Sequence, residues 1–376
     1  MVTEMNHQRA IPFVATRSGL NEGKVPSPVP GPVGCASDSD PLGLGAAIER
    51  VAQETGFSGV VHVSGRDRLH FERAYGLADR AHVEPTRIDT QFGIASVTKG
   101  LTALAALSLV ADRALALDTS VRDVLGDDRA LAGPDVTVGH LLAHTSGIGD
   151  YLDEATTDVE DYVISVPVHR LALTVDYLPL LRRPPAKFDA GTSFEYCNSG
   201  YVILALVVEV VTGRAFHDVV ADRVCAPAGM TSTEFLRSDE LPGRAAIGYV
   251  GPADAWRTNH LHLPVRGSGD GGAYSTVGDL AAFWSALFEA RIIPRDLLAE
   301  AIRPHHDAQA DAMGYGLGFW LPASGTVMLE GYDAGVSCRT AFHPPSGVLY
   351  TVLSNTTRGT WPVAEILDGL LPSLVA

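Results

Sequence analysis

The chain reads as an α/β protein: an antiparallel sheet built from its two ends, with a mainly helical part inserted between them. Three observations predict this. Short runs of strand-forming residues cluster near the N-terminal quarter and in the last sixty residues, whereas the middle carries longer apolar stretches at helical spacing. Hydrophobic residues make up 46% and charged residues 19% of 376 positions, which supplies a large core and argues against disorder. No internal repeat interrupts the pattern.

In chain order, residues 1–41 form a leader punctuated by Pro and Gly and ending in Ser37-Asp38-Ser39-Asp40. It has no continuous apolar segment of the kind a secretory signal needs, so a cytoplasmic location is expected. Residues 42–55 place Leu44, Ile48 and Val51 on one helical face. Ser58–Val63 and Leu69–Tyr75, separated by Gly65-Arg66-Asp67-Arg68, read as a β-hairpin. Val97–Arg113, Thr137–Leu142, Tyr201–Thr212 and Phe216–Ala226 read as helices. Strands return at Thr326–Glu330, Val336–His343 and Val348–Ser354, with Pro344-Pro345-Ser346-Gly347 as the last turn. A helix over Pro362–Leu371 closes the chain. The expected division is residues 42–95 and 270–376 in the sheet domain and 96–269 in the helical domain, with a cleft at their junction.

Charge and cysteine usage exclude several function classes. Lys plus Arg total 28 against 44 Asp plus Glu, a formal charge of −16, which disfavours phosphate backbones and anionic lipid. Tyr201–Val211 and Leu101–Ala111 are about half the roughly 20 residues of a spanning helix. Neither nucleic acid nor membrane is therefore expected as a partner. Cys35, Cys197, Cys225 and Cys338 are scattered without metal or redox spacing and read as reduced thiols. The pair His260 and His262 lacks a nearby acidic or thiol partner for a metal.

Lysine usage points to the chemistry. The 28 basic residues are 25 Arg and three Lys, namely Lys24, Lys99 and Lys187. A lysine kept in so arginine-rich a chain is a candidate for work arginine cannot do, above all losing its proton near neutral pH. Lys24 falls in the leader and Lys187 in a polar loop, but Lys99 opens an apolar helix one turn after Ser96. A neutral amine there can take the serine proton, and helix N–H groups favour a developing negative charge. The competing reading is that Ser96 caps the helix while Lys99 snorkels to solvent.

Ser96-Val97-Thr98-Lys99 resembles the Ser-x-x-Lys motif of the serine β-lactamase and penicillin-binding-protein superfamily, and Tyr196-Cys197-Asn198 resembles its Tyr-x-Asn motif. Leu141–Gly147, Glu209–Arg214 and Gly271–Leu280 are similar to further segments of the same superfamily, in order, from about residue 44 to 370. The resemblance implies a five-stranded antiparallel sheet flanked by helices, with an inserted all-helical domain. It also implies roles. Ser96 is the nucleophile, and Lys99 is the base or tunes it. Tyr196, with a phenol pKa lowered beside Lys99, relays a proton. Asn198 bonds the acyl group or Lys99, and the Ser96 N–H forms half of an oxyanion hole.

The third motif, Lys-Thr-Gly or His-x-Gly in the superfamily, departs here. It is aligned with Leu329-Glu330-Gly331, the alternative register being Tyr332-Asp333-Ala334, and neither offers Lys or His. Arg339 is the nearest cation that compensates if it faces the same side. Gly331, Tyr332, Tyr151 and Trp320 are the expected substrate-binding residues beside Asn198, with Trp256 and Phe319 as further aromatic candidates. His144 is expected to be a buried turn residue, His305-His306 solvated, and the acids of Asp150–Asp161 a solvated face. Cys197 is not expected to be a nucleophile, because it points away when its neighbours point in.

The expected function is a serine hydrolase that forms an acyl-enzyme on a small, neutral carboxylic ester, with no metal or organic cofactor. Competing readings are an acyltransferase, an amidase or D-amino-acid peptidase, a weak β-lactamase, and a non-catalytic binding protein of the same fold.

Overall fold

The computed structural model describes residues 43–65, 69–126, 131–154, 156–182, 185–308 and 313–375. The leader over 1–41, with Lys24 and Cys35, lies outside the described residues, as do positions 66–68 of the expected hairpin turn.

The chain starts with helix α1 (Leu44–Thr55), which buries Leu44, Ile48, Val51 and Ala52 along one stripe and ends on Gly56 in the left-handed region. Strands β1 (Gly59–Ser64) and β2 (His70–Tyr75) follow as an antiparallel pair from Gly59↔Tyr75 to Ser64↔His70. Two helices dominate the middle. Helix α2 (Thr98–Ala111) is buried at every position from Thr98 to Leu109, as an all-round apolar helix must be. Helix α3 (Asn198–Thr212) packs against it. The expected helix over Phe216–Ala226 is divided into an α-turn at Phe216–Val220, a π-turn at Ala221–Cys225 and a short end at Ala226–Ala228.

Helix α4 (Val277–Phe288) leads back to the sheet. Three short strands come next: β3 (His306–Ala308), β4 (Met313–Tyr315) and β5 (Trp320–Leu321). The long strands β6 (Val327–Asp333), β7 (Val336–His343) and β8 (Val348–Ser354) precede the closing helix α5 (Thr360–Val375). The sheet order is β2-β1-β8-β7-β6-β5-β4-β3, so the N-terminal hairpin is joined to the C-terminal strand β8. The sheet thus has eight strands, not the expected five. The additional three are two or three residues long, too short to carry a period-two pattern.

Both faces of the sheet are covered. In β8, Leu349 and Leu353 join the core shared with α2, α3 and α4, while Tyr350 and Val352 face α1 and α5. This two-sided burial leaves every residue of β8 buried, so the strand shows no alternation of apolar and polar positions. Inside the sheet, the Trp284 indole donates to Thr340 Oγ1 (2.8 Å), and Thr340 pairs with Thr351 across β7 and β8 (2.7 Å). Among the described residues, no helix is long and apolar enough to cross a membrane.

Candidate active site

Ser96 sits in a 3-10 turn, Ala95–Val97, that runs directly into α2. Ala95 holds φ at +45°, a left-handed conformation that costs a non-glycine residue about 1–2 kcal/mol. That sharp turn presents Ser96 where two lobes of a cleft meet. Ser96, Leu152, Glu154, Asn198 and Tyr332 line both lobes. Ser96 and Lys99 lie one helical turn apart, and Lys99 is 1% exposed, so the snorkelling alternative does not describe it.

The hydrogen bonds of Lys99 bear on the chemistry. Nζ donates to Ser96 Oγ (2.9 Å), Asn198 Oδ1 (2.7 Å) and the Asp270 carbonyl (2.6 Å). Two of these acceptors have no proton to give. A neutral amine keeps its two N–H groups on those two and turns its lone pair to the third, the Ser96 hydroxyl. Burial pushes the Lys99 pKa down, while Asp270, Glu154, Asp150 and Asp333 push it up.

Asn198 is held by its surroundings. Its Nδ2 donates to the Leu152 carbonyl (3.0 Å), Glu154 Oε1 (3.1 Å) and Asp150 Oδ2 (3.3 Å), leaving Oδ1 for Lys99. Asp150 also accepts the Asn198 and Ser199 backbone N–H groups (2.8 and 2.9 Å), so it caps α3 from outside the helix. The expectation that Asp150–Asp161 is a solvated face is therefore corrected. Asp158 and Asp161 are exposed, but Asp150 and Glu154 turn into the site. Sequence periodicity misses them because they lie in irregular backbone.

The Tyr196 ring lies 4.8 Å from Lys99 Nζ and stacks on Trp320 at 6.0 Å, with its phenol on the Ser96 side. Its pKa is not lowered as expected. Burial, then the Glu154 charge, push it well above the usual phenol value. His144, with φ at +57°, packs 4.3 Å from the Tyr196 ring, and its Nδ1 accepts the Cys197 backbone N–H (3.1 Å). It fixes the backbone between Tyr196 and Asn198, and burial keeps its imidazole neutral. Cys197 is buried with Sγ toward the Ile148 carbonyl, and burial pushes its thiol up.

Gly331 decides the register of the third motif. A Cβ there would stand 2.3 Å from Ser96 N, so this strand lies flat on the Ser96 backbone. Leu329 points the same way and fills the space over Gly100. Arg339, opposite Glu330 across β6 and β7, bonds Glu330 Oε2 (2.6 and 2.9 Å) and Asp368 (2.7 Å). It neutralises Glu330 and supplies no free cation to the cleft.

The expected substrate-binding residues all reach the cleft. Trp320 and Gly331 line the outer lobe, Tyr151 the inner lobe, and Asn198 and Tyr332 both. Trp256 instead packs under the Arg80 guanidinium, Phe319 lies in the core, and Lys187 pairs with Asp153 and Glu195. His260 and His262 line the inner lobe, and His306, half-buried, stacks on Phe194. Asp270, whose carbonyl accepts from Lys99 Nζ (2.6 Å) and whose side chain accepts from Tyr151 OH (2.5 Å), was not anticipated. The only signal for it is the glycine-rich run Gly267–Gly272 around it.

A sequence model described as Beta-lactamase matches residues 44–370, most of the chain. The chain belongs to the Beta-lactamase family. Within that family it is similar to esterase EstB of Burkholderia gladioli, 36% identical over 55% of this chain and 54% of the relative. It is also similar to a D-aminopeptidase of Cereibacter sphaeroides, 31% identical over 61% of this chain and 43% of the relative. The chain thus spans about half the length of these curated relatives. A penicillin-binding protein from Bacillus halodurans superposes with a TM-score of 0.81 at 36% identity, covering 86% of this chain and 99% of that one.

Proposed function

We propose that this Beta-lactamase family member is a serine hydrolase that forms an acyl-enzyme on Ser96 and acts on small carboxylic esters lacking a carboxylate anchor. The observation that carries the reading is the placement of Lys99 Nζ, enclosed and pointed at Ser96 Oγ by two carbonyl acceptors. Neutral Lys99 takes the Ser96 proton as Oγ bonds the carbonyl carbon. The Ser96 N–H, next to the Gly331 strand, stabilises the oxyanion. Collapse breaks the bond to the leaving group, and the protonated Tyr196 phenol supplies its proton. Water then adds to the acyl-enzyme by the reverse proton path, releasing the acid and Ser96.

The ester preference is supported by the replacement of the third-motif cation with Leu329 and by the engagement of Arg339 with Glu330 and Asp368. Relatives named as an esterase and a D-aminopeptidase support acyl transfer from an ester or an amide as the reaction class. Ser96→Ala is expected to abolish the p-nitrophenyl ester burst and fluorophosphonate labelling. Turnover that survives this change undiminished ends the mechanism, and nitrocefin hydrolysis rivalling ester cleavage ends the proposed preference.

A further inference from the structure

Tyr196, the proton donor of the proposed mechanism, lies in residues 193–197, which belong to no helix or strand. Its backbone therefore lacks the support that α2 gives Lys99. Asn198, two positions on, is held by Asp150, Leu152 and Glu154 through bonds of its own. Both chain neighbours of Tyr196 bond instead to one residue, His144. The Glu195 N–H donates to the His144 carbonyl (3.0 Å), and the Cys197 N–H donates to His144 Nδ1 (3.1 Å). The imidazole thus stands in for a second backbone acceptor, and the chain is held immediately before and after Tyr196.

His144 is suited to this hold and to little else. Its φ of +57° is left-handed, a conformation in which histidine is one of the few side-chain-bearing residues found with any frequency. It is 1% exposed, and its ring packs 4.3 Å from Tyr196, 4.9 Å from Tyr201 and 4.8 Å from Tyr315. Because Nδ1 accepts an N–H, the ring proton sits on Nε2. Among the described residues Nε2 has no hydrogen-bond partner. Neither nitrogen bonds Ser96, Lys99 or the Tyr196 phenol, so the imidazole has no proton path to the reacting atoms. It is a positioning residue.

We propose that His144 aims the Tyr196 phenol at the departing oxygen by holding the peptide groups on both sides of it, and so governs the rate for esters whose alcohol must be protonated to leave. This rests on the acyl-enzyme reading. As the bond between the carbonyl carbon and the departing oxygen breaks, the Tyr196 O–H proton passes to that oxygen and leaves a phenolate. The phenolate regains a proton from the water that later attacks the acyl-enzyme. An alkoxide depends on that proton, whereas p-nitrophenolate, a stable anion, departs without it. A misaimed phenol therefore slows an alkyl ester far more than a nitrophenyl ester of the same acid.

The test measures kcat/KM for ethyl acetate and p-nitrophenyl acetate in the wild-type chain and in His144→Ala, His144→Gly and His144→Asn. Glycine relieves the left-handed conformation but offers no acceptor. Asparagine tolerates that conformation, and its Oδ1 stands where the histidine Nδ1 does. Alanine and glycine are each expected to slow ethyl acetate by about 10²-fold, the lower end of a general acid's contribution, and p-nitrophenyl acetate by less than about tenfold. Asparagine is expected to keep the wild-type ratio of the two rates. Melting curves and fluorophosphonate labelling of Ser96 select the variants that are folded with a competent serine. Equal losses on the two esters overturn the proposal, as does a glycine variant that keeps the ratio as well as asparagine does. Where alanine and glycine both fail to fold, asparagine decides: a kept ratio sustains the hold, and a folded variant with a fallen ratio overturns it. A wild-type chain with neither labelling nor turnover overturns the acyl-enzyme reading, and this proposal with it.

Discussion

Lys99 is surrounded by opposing influences, and its function depends on their balance. Burial disfavours its charge, whereas Asp270, Glu154, Asp150 and Asp333 favour it. Burial is the largest influence, so the amine loses its proton below the ordinary lysine value of 10.5. In the proposed mechanism the active form is the neutral one, so its population grows as pH rises. We therefore expect kcat/KM for an uncharged ester to climb with pH and level off at an inflection below that of a free lysine. A rise that follows an ordinary lysine, or no rise at all, contradicts the assignment. Tyr196 is the complementary group: its phenol holds its proton well past neutrality and is suited to giving it to a leaving group. The same residues show where sequence reading stops. Lys99 stood out because the chain has three lysines, but the direction of the Tyr196 shift depends on burial and on the Glu154 charge that folding brings near it. Glu154 and Asp150 were misread because an acid in an irregular segment has no periodicity to reveal its side.

Elements bring these residues to one point. The turn Ala95–Val97 carries Ser96 and the first turn of α2 carries Lys99, the start of α3 carries Asn198 under the Asp150 cap, and β6 lays Gly331 on Ser96 N. The strand approaches so closely that a single methyl group is excluded. Gly331→Ala is expected to push β6 off the Ser96 backbone and lower kcat/KM by about 10²–10³-fold, the usual cost of losing oxyanion donors. Steady-state kinetics with a p-nitrophenyl ester checks it, and a fall below about tenfold places the oxyanion elsewhere. The long elements were legible, since β7 and β8 span the residues their patterns indicate. β3, β4 and β5 were not, because pairings of two or three residues depend on the neighbouring edge of β6 and not on their own sequence.

At the scale of the whole molecule, the sheet joins residues 59–75 to 306–354, so both ends of the described chain must be in place before the cleft exists. The loop containing Glu154 is tied across it by Arg358 to Asp158 (3.0 Å) and Thr357 to Glu160 (2.5 Å). The site keeps its acids at a cost in stability. Burial raises the Asp333 pKa from 3.8 to about 7. The folded state therefore holds that proton after the unfolded chain has released it, and stability falls as pH rises between those values. Asp333→Asn removes the cost, so its melting temperature is expected to exceed the wild type's above pH ~7 and to converge with it toward pH ~4. A difference of the same size at both ends of the range contradicts a buried, titrating Asp333.

The sequence alone determined the pairing of Ser96 with Lys99, the Tyr196 and Asn198 motif, the long helices and strands, and the family resemblance. Each is carried by neighbours within a few residues, where spacing fixes geometry. Tertiary structure alone decided which third-motif register meets Ser96, that Arg339 is already engaged, and that Asp270, Asp333 and Glu154 line one lobe. Those residues lie far apart in the chain, and a carboxylate's charge state and partners are set by what folding places around it.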